Sequence, residues 1–270
     1  KSPPICIQVG GSAPQLTLKL STSRVLIIMM PARGYDMTPT MYSPDGRIYQ
    51  VEYAIETVKR GTLAVGVKSK DGVIMAVEEI PRKLQVSGIT QKIFQVDDHI
   101  GIAAAGYIPD ARVQVDDART FSQSHKLIYD EEVEVETVAK HLADRCHQYT
   151  QYSGVRPFGV ALIISGVDQS GNRIYVTDPS GTFVSYTAVA IGAGADDVNA
   201  FLEKNYKDDM SLEDASALAI AAIELRAEAK DEKSIKMSRI TKDNRTLQKV
   251  SDADVEKYSN AAKSKFPKPS

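Results

Sequence analysis

Cysteine is nearly absent: Cys6 and Cys146 are the two in 270 residues, far apart and without Cys-x-x-Cys spacing. That excludes a disulfide framework and a cysteine-based zinc site, and it fits a reducing compartment. Long apolar runs are missing too, since a membrane-spanning helix needs about 18 such residues or more. The nearest candidate, Val25-Leu26-Ile27-Ile28-Met29-Met30, has Arg24 against it. It is shorter than the roughly 7–15 residues of a secretory core, so neither an export signal nor a membrane anchor is expected. Charge of one sign is lacking: 33 basic against 35 acidic residues leave a formal net charge of −2. No field of that kind attracts nucleic acid or an anionic membrane. The four histidines, His99, His125, His141 and His147, show no His-x3-His or carboxylate-flanked pattern. Gly192-Ala193-Gly194 lacks the third glycine and the lysine of a phosphate loop. No metal and no cofactor are expected.

What is present is an ordinary globular composition, 43% hydrophobic and 25% charged. A chain of this length buries roughly 70–75% of its unfolded surface without a staple. Residues 1–29 differ from the rest, with Gly10-Gly11-Ser12, scattered prolines and only a weak Leu16/Leu18/Leu20 alternation. Met29-Met30 stands before the better-organised sequence, so 1–29 is expected to be an extension, flexible or foreign to the native protein. After the turn Ser43-Pro44-Asp45-Gly46, the residues Ile48, Val51, Ile55 and Val58 recur at helical spacing, and Gly61 is expected to stop the helix. Leu63, Val65 and Val67 alternate as a strand does, Lys70-Asp71-Gly72 turns, and Val73–Val77 is an apolar run covered on both faces. Gly101-Ile-Ala-Ala-Ala-Gly106 is a second covered strand, its small residues implying close approach.

Two helices follow, one opening at Pro109, the next striped with Val135, Val138, Ala139, Leu142, Cys146 and Tyr149. Cys146 on that stripe reads as a core residue rather than a nucleophile. Strands are expected at 160–167, 174–176, 183–186 and 189–191, then two helices, the latter entered at Ser211. A strand pair near 237–240 and 246–250 leads to an amphipathic end at 252–258, and 259–270 reads as a basic disordered tail. Strand blocks covered on both faces require two packed sheets with helices outside. The expected fold is α+β, a four-layer helix–sheet–sheet–helix sandwich.

Several stretches carry a resemblance. They are Gly34-Tyr35-Asp36, the run Tyr42-Ser43-Pro44-Asp45-Gly46-Arg47-Ile48-Tyr49-Gln50-Val51-Glu52-Tyr53-Ala54, and Val58-Lys59-Arg60-Gly61. Ala111-Arg112-Val113, the long stretch from Gln148 to Gly159, Thr177-Asp178-Pro179-Ser180-Gly181 and Ala190-Ile191-Gly192 complete the set. In these the chain resembles the α-type subunits of the proteasome core particle, of the archaeal kind, over roughly residues 30–250, within a domain expected to span 30–258. The resemblance implies an N-terminal-nucleophile sandwich assembling as a seven-membered ring of this chain. That ring would cap proteolytic β-type subunits, admit unfolded protein substrates, and dock the hydrophobic-Tyr-X C-terminus of a regulatory AAA ATPase, in the cytoplasm.

β-type relatives cleave themselves before a threonine whose freed amine serves as base. Here Gly61-Thr62 stands at the corresponding place, with Glu78 and Lys92 near the expected acid and lysine, so a self-processing threonine peptidase with Thr62 as nucleophile is the alternative. Against it, the preceding amphipathic helix is implied to roof the cleft, Leu63 replaces the usual hydroxyl residue, and Thr62 within a peptide bond has no amine. An orphan ring-forming relative without protease partners is a third reading. The resemblance carries over Lys92, Gly61 and Glu52 as an activator-tail pocket. It likewise carries over Tyr35, Asp36, Pro44 and Tyr53 as a gate, and Tyr152, Ser153, Gly154 and Val155 as the entrance annulus. Met37 departs from the family's arginine after Tyr-Asp, and Ser153 from its usual second glycine.

Overall fold

A computed structural model of the chain describes residues 37, 38, 40–80, 84, 92–226 and 234–266. The expected extension over 1–29 lies outside them, as do Tyr35 and Asp36.

Helix α1 spans Tyr49–Arg60 and buries Val51, Ala54 and Val58, whose spacings of three and four share one face. Ile55, expected on this stripe, stands at its edge and is half-buried. Gly61 ends the helix in extended conformation, φ −72°, not as the left-handed cap that glycine usually supplies. Its role is contact: a Cβ on Gly61 would lie 2.2 Å from the backbone nitrogen of Gly106.

The strands follow as β1 (Ala64–Lys68), β2 (Gly72–Glu79), β3 (Ile93–Asp97) and β4 (Ile100–Gly106). β3 was not anticipated, because its alternation is weak in sequence, with Gln95 and Asp97 interrupting the apolar residues. Helices α2 (Ile108–Tyr129) and α3 (Val135–Gln151) precede β5 (Val160–Asp168), β6 (Gly171–Thr177), β7 (Phe183–Ser185) and β8 (Ala188–Ile191). Then come α4 (Ala195–Asn205), α5 (Leu212–Glu224), β9 (Ser234–Thr241), β10 (Gln248–Lys249) and α6 (Asp252–Lys265). Ser211 caps α5 as expected, its Oγ accepting the Asp214 N–H at 3.1 Å.

Two five-stranded sheets result, ordered β10-β9-β2-β1-β8 and β3-β4-β5-β6-β7. β1, β2, β8, β9 and β10 pair antiparallel in the first sheet, as do β3 to β7 in the second. The apolar run in β2 now has its reason. Val73, Met75 and Val77 point into the space between the sheets, packing with Ala103, Ala105, Ile163 and Ile174. Ile74 and Ala76 point outward against a layer holding Val198, Leu202, Leu218, Ala222 and Tyr258. The second sheet does the same with Ile102, Ala104, Leu162 and Ile164 against Val115, Val138, Leu142 and Cys146. Each large side chain so covered contributes about 1.5–3 kcal/mol. Four layers follow because both faces of both sheets are apolar.

The tail differs from expectation. α6 runs on to Lys265, with Tyr258 and Ala262 buried and Val255 and Phe266 packed against the same cluster. Residues 255, 258, 262 and 266 are spaced three, four and four apart, a helical stripe that the lysines around it obscure in a composition reading. α6 lies on α5 and links to it through the Lys265–Asp214 ion pair. Residues 267–270 lie outside the described residues.

The close approach at the α1 end of the sandwich is testable. Gly106 has φ 116°, and a Cβ there would meet the Gly159 carbonyl oxygen at 2.4 Å. Gly106→Ala should lower unfolding stability by roughly 3 kcal/mol or more, read from urea midpoints, because strain and overlap add.

Candidate functional site

The junction between α1 and β1 gathers the chemistry. Lys92, just before β3, is only 6% exposed. Its Nζ donates to the Thr62 carbonyl oxygen and the Thr62 Oγ1, both at 2.7 Å, and to the Leu63 and Glu78 carbonyl oxygens, both at 3.2 Å. Burial pushes the lysine down to about 8, against partial opposition from the Glu78 and Glu79 carboxylates. The Thr62 hydroxyl spends its own proton on the Glu78 carbonyl oxygen at 2.8 Å. The Glu78 carboxylate receives the Leu63 N–H at 3.4 Å. The Gly61 carbonyl oxygen is held by the Ala193 N–H at 2.8 Å, and the Gly61 N–H donates back to the Val58 carbonyl oxygen at 2.9 Å.

Lys92 and Gly61, two of the three residues expected in one pocket, are thus brought to the same junction. Glu52 is elsewhere engaged, in the first turn of α1, where Arg47 grips its carboxylate with a 2.7 Å bond from Nε and a second from its fork. That pair is exposed and screened by solvent, and the guanidinium holds the Glu52 carboxyl below the usual carboxylate range. Pro44 sits exposed in the turn closed by the Gly46 N–H to the Ser43 carbonyl oxygen at 2.9 Å. Tyr53, 49% exposed, stacks on Tyr49 with centroids 6.4 Å apart. Tyr152, Ser153, Gly154 and Val155 form the exposed connection after α3, with Gly154 at φ 88°.

The sequence reading missed the residue that anchors this connection. Asp110, in the first turn of α2, receives both arms of Arg156 at 2.6 and 2.9 Å and the Gly159 N–H at 2.9 Å. Its acidic place in a helix first turn was the available signal, but it reads equally as a dipole partner. Arg156 also lies over the Tyr107 ring at 5.6 Å. Tyr53, Tyr107, Arg156 and Pro157 line a groove of about 360 Å³ on the outer side of α1.

Chemically, the junction is built to hold rather than to attack. A threonine hydroxyl becomes a nucleophile when a neighbouring group takes its proton. The Thr62 proton faces a carbonyl oxygen, its oxygen accepts from Lys92, and its nitrogen is an amide. Two antiparallel sheets between helix layers, with a threonine and lysine at the head of the first strand, define the N-terminal-nucleophile class of α+β sandwich.

Comparison with known proteins narrows this. A family model for the proteasome subunit matches residues 58–241, and a second, for the N-terminal signature of the family's A-type chains, matches 35–56. The proteasome alpha subunit of Archaeoglobus fulgidus is 44% identical over 231 residues, covering 85% of this chain and 94% of that protein. The protein of the same description from Pyrococcus horikoshii is 46% identical, over 85% of this chain and 88% of its own length. That of Methanosarcina mazei is 44% identical, over 85% and 93%. The chain belongs to the proteasome subunit family, on its α-type branch.

The lysine makes a pH prediction. Its folded value of about 8 lies below the ordinary 10.5, so between the two the unfolded chain binds more protons than the folded one. Wild-type stability should therefore rise with pH across that window, by up to a few kcal/mol. Lys92→Met should flatten the rise in urea titrations.

Proposed function

We propose that the chain is a non-catalytic ring subunit of a threonine-type protease particle, stacking with β-type subunits and controlling entry to their chamber. The observation that carries this is the tethered Thr62, continuous with α1 through Gly61, its hydroxyl proton committed to Glu78 and its own nitrogen an amide rather than an α-amine. The N-terminal signature over 35–56 supports the α side over the self-processing β side. Intact-mass and N-terminal mapping of the assembled particle should never find Thr62 at a chain terminus. Thr62→Ala should leave the particle's peptide hydrolysis within about twofold of wild type; a larger loss overturns the reading.

On this reading the chain forms a seven-membered ring in the cytoplasm, through which unfolded proteins pass to the β subunits. Tyr35, Asp36, Pro44 and Tyr53 hold the arms of the gate, and Tyr152, Ser153, Gly154 and Val155 line the annulus beneath. The clamp of Asp110 on Arg156 and Gly159 supports a fixed base for that annulus. A pocket between neighbouring subunits, with Lys92 and Gly61 together at the junction and Glu52 as a component standing apart from them in the single chain, receives the C-terminal tail of a regulatory AAA ATPase ending in hydrophobic-Tyr-X. A tail carboxylate reaching the buried ammonium would displace at least one of its four oxygens. The gain is a charge-assisted bond of about 1.5–3 kcal/mol. Peptides ending in hydrophobic-Tyr-X should stimulate hydrolysis by the assembled particle, and Lys92→Ala should abolish stimulation while ring assembly, read by negative-stain images, persists. Unchanged stimulation in that variant removes Lys92 from the pocket.

A further inference from the structure

The connection over 152–155 is exposed at every residue, so its position is set by what holds its two ends. Across those ends the Tyr149 ring of α3 packs against Phe158, with centroids 4.3 Å apart and planes at 32°. An aromatic pair is satisfied by offset and tilted arrangements over a range of separations, so this contact joins the ends without fixing their direction. The directional hold is elsewhere. Asp110, 8% exposed in the first turn of α2, accepts from Arg156 Nη1 and from the Gly159 N–H on Oδ2, and from Arg156 Nη2 on Oδ1. The same Nη1 donates to the Pro157 carbonyl oxygen at 2.9 Å, and the Gly159 carbonyl oxygen accepts the Tyr107 N–H at 2.8 Å.

Arg156 and both backbone groups of Gly159 are thus tied to the 107–110 turn, and Pro157 to Arg156. A guanidinium held by two parallel bonds has its plane fixed as well as its distance. Stability is not what this arrangement supplies. The Arg156 side chain is 58% exposed, and an ion pair with so exposed a member adds little to the folding free energy. What it supplies is a fixed point of departure for the residue immediately before it, Val155. Gly154, at φ 88° and with nothing within 4 Å of a Cβ, is the pivot once that point is released.

We propose that Asp110 is a positioning residue for substrate width: through Arg156 and Gly159 it holds the 152–155 connection at an aperture that admits one extended chain and excludes a chain doubled back on itself. The proposal rests on the reading of 152–155 as the entrance annulus. In a closed ring of identical copies each chain presents the same connection to one axis, so a displacement in one is repeated by all. Breaking the clamp lets the Val155 side swing about Gly154. The aperture then widens, while Tyr149 and Phe158 keep the connection attached.

The test uses the assembled particle and one unfolded protein substrate in two forms, closed into a loop by a single internal disulfide, or reduced and capped. The ratio of looped to linear hydrolysis cancels gate opening and β-subunit chemistry, which a merely structural lesion alters for both forms alike. Arg156→Ala, at an exposed side chain, should raise that ratio about fivefold with linear hydrolysis little changed. Asp110→Asn, which keeps the shape and an acceptor for Gly159 but weakens the grip on Arg156, should raise it by about twofold or more. Val155→Trp, on the connection itself, should lower it. A wild-type ratio in either assembled clamp variant, with Val155→Trp responding, overturns the clamp and leaves the annulus standing. No response from Val155→Trp removes the annulus, and the proposal falls with it.

Discussion

The contact of Gly61 with Gly106 is the constraint on which the site depends. Neither position has room for a Cβ, and the two backbones touch where α1 meets the ends of β4 and β5. α1 can lie across the sandwich only because both residues are glycine. Its position there delivers Thr62 to the head of β1 as an interior residue of a continuous chain. The corner is thereby covered and tied.

Lys92 completes the tie. An ammonium has three protons, and four oxygens from Thr62 and Leu63, just before β1, and from Glu78 in β2 surround this one. Desolvation weakens the charge, and the acceptors compensate by directing carbonyl dipoles at it. The result is a lysine that ties the start of β1 to β2. Any ligand that uses it must compete with those contacts, which favours a full negative charge over a neutral group.

The outer side of α1 is constructed differently. Tyr53, Tyr107 and Tyr152 are exposed, and Tyr53 and Tyr107 flank the groove beside Arg156. Asp110 fixes Arg156 and Gly159 from below, so the exposed 152–155 connection projects from a rigid base rather than from a free loop. One face of α1 therefore serves the core, and the other offers aromatic rings and an ion pair to whatever lies above.

By itself the sequence determined the order of helices and strands, the covering of both sheet faces and the absence of staples, because period and composition are local properties. The motifs around Gly61 and from Gln148 to Gly159 were enough to reach the family. β3 escaped, because polar residues broke its alternation, and the helical end through Lys265 escaped because lysines masked a stripe that matters only against α5. Tertiary structure alone decided that β8 leaves its neighbours to pair with β1, since strand pairing is set by long-range packing. It alone decided that Lys92 is buried beside Thr62 and that Asp110 clamps Arg156. Each joins residues far apart in the chain or buried by distant elements, and a linear pattern carries no record of which polar groups will share an interior.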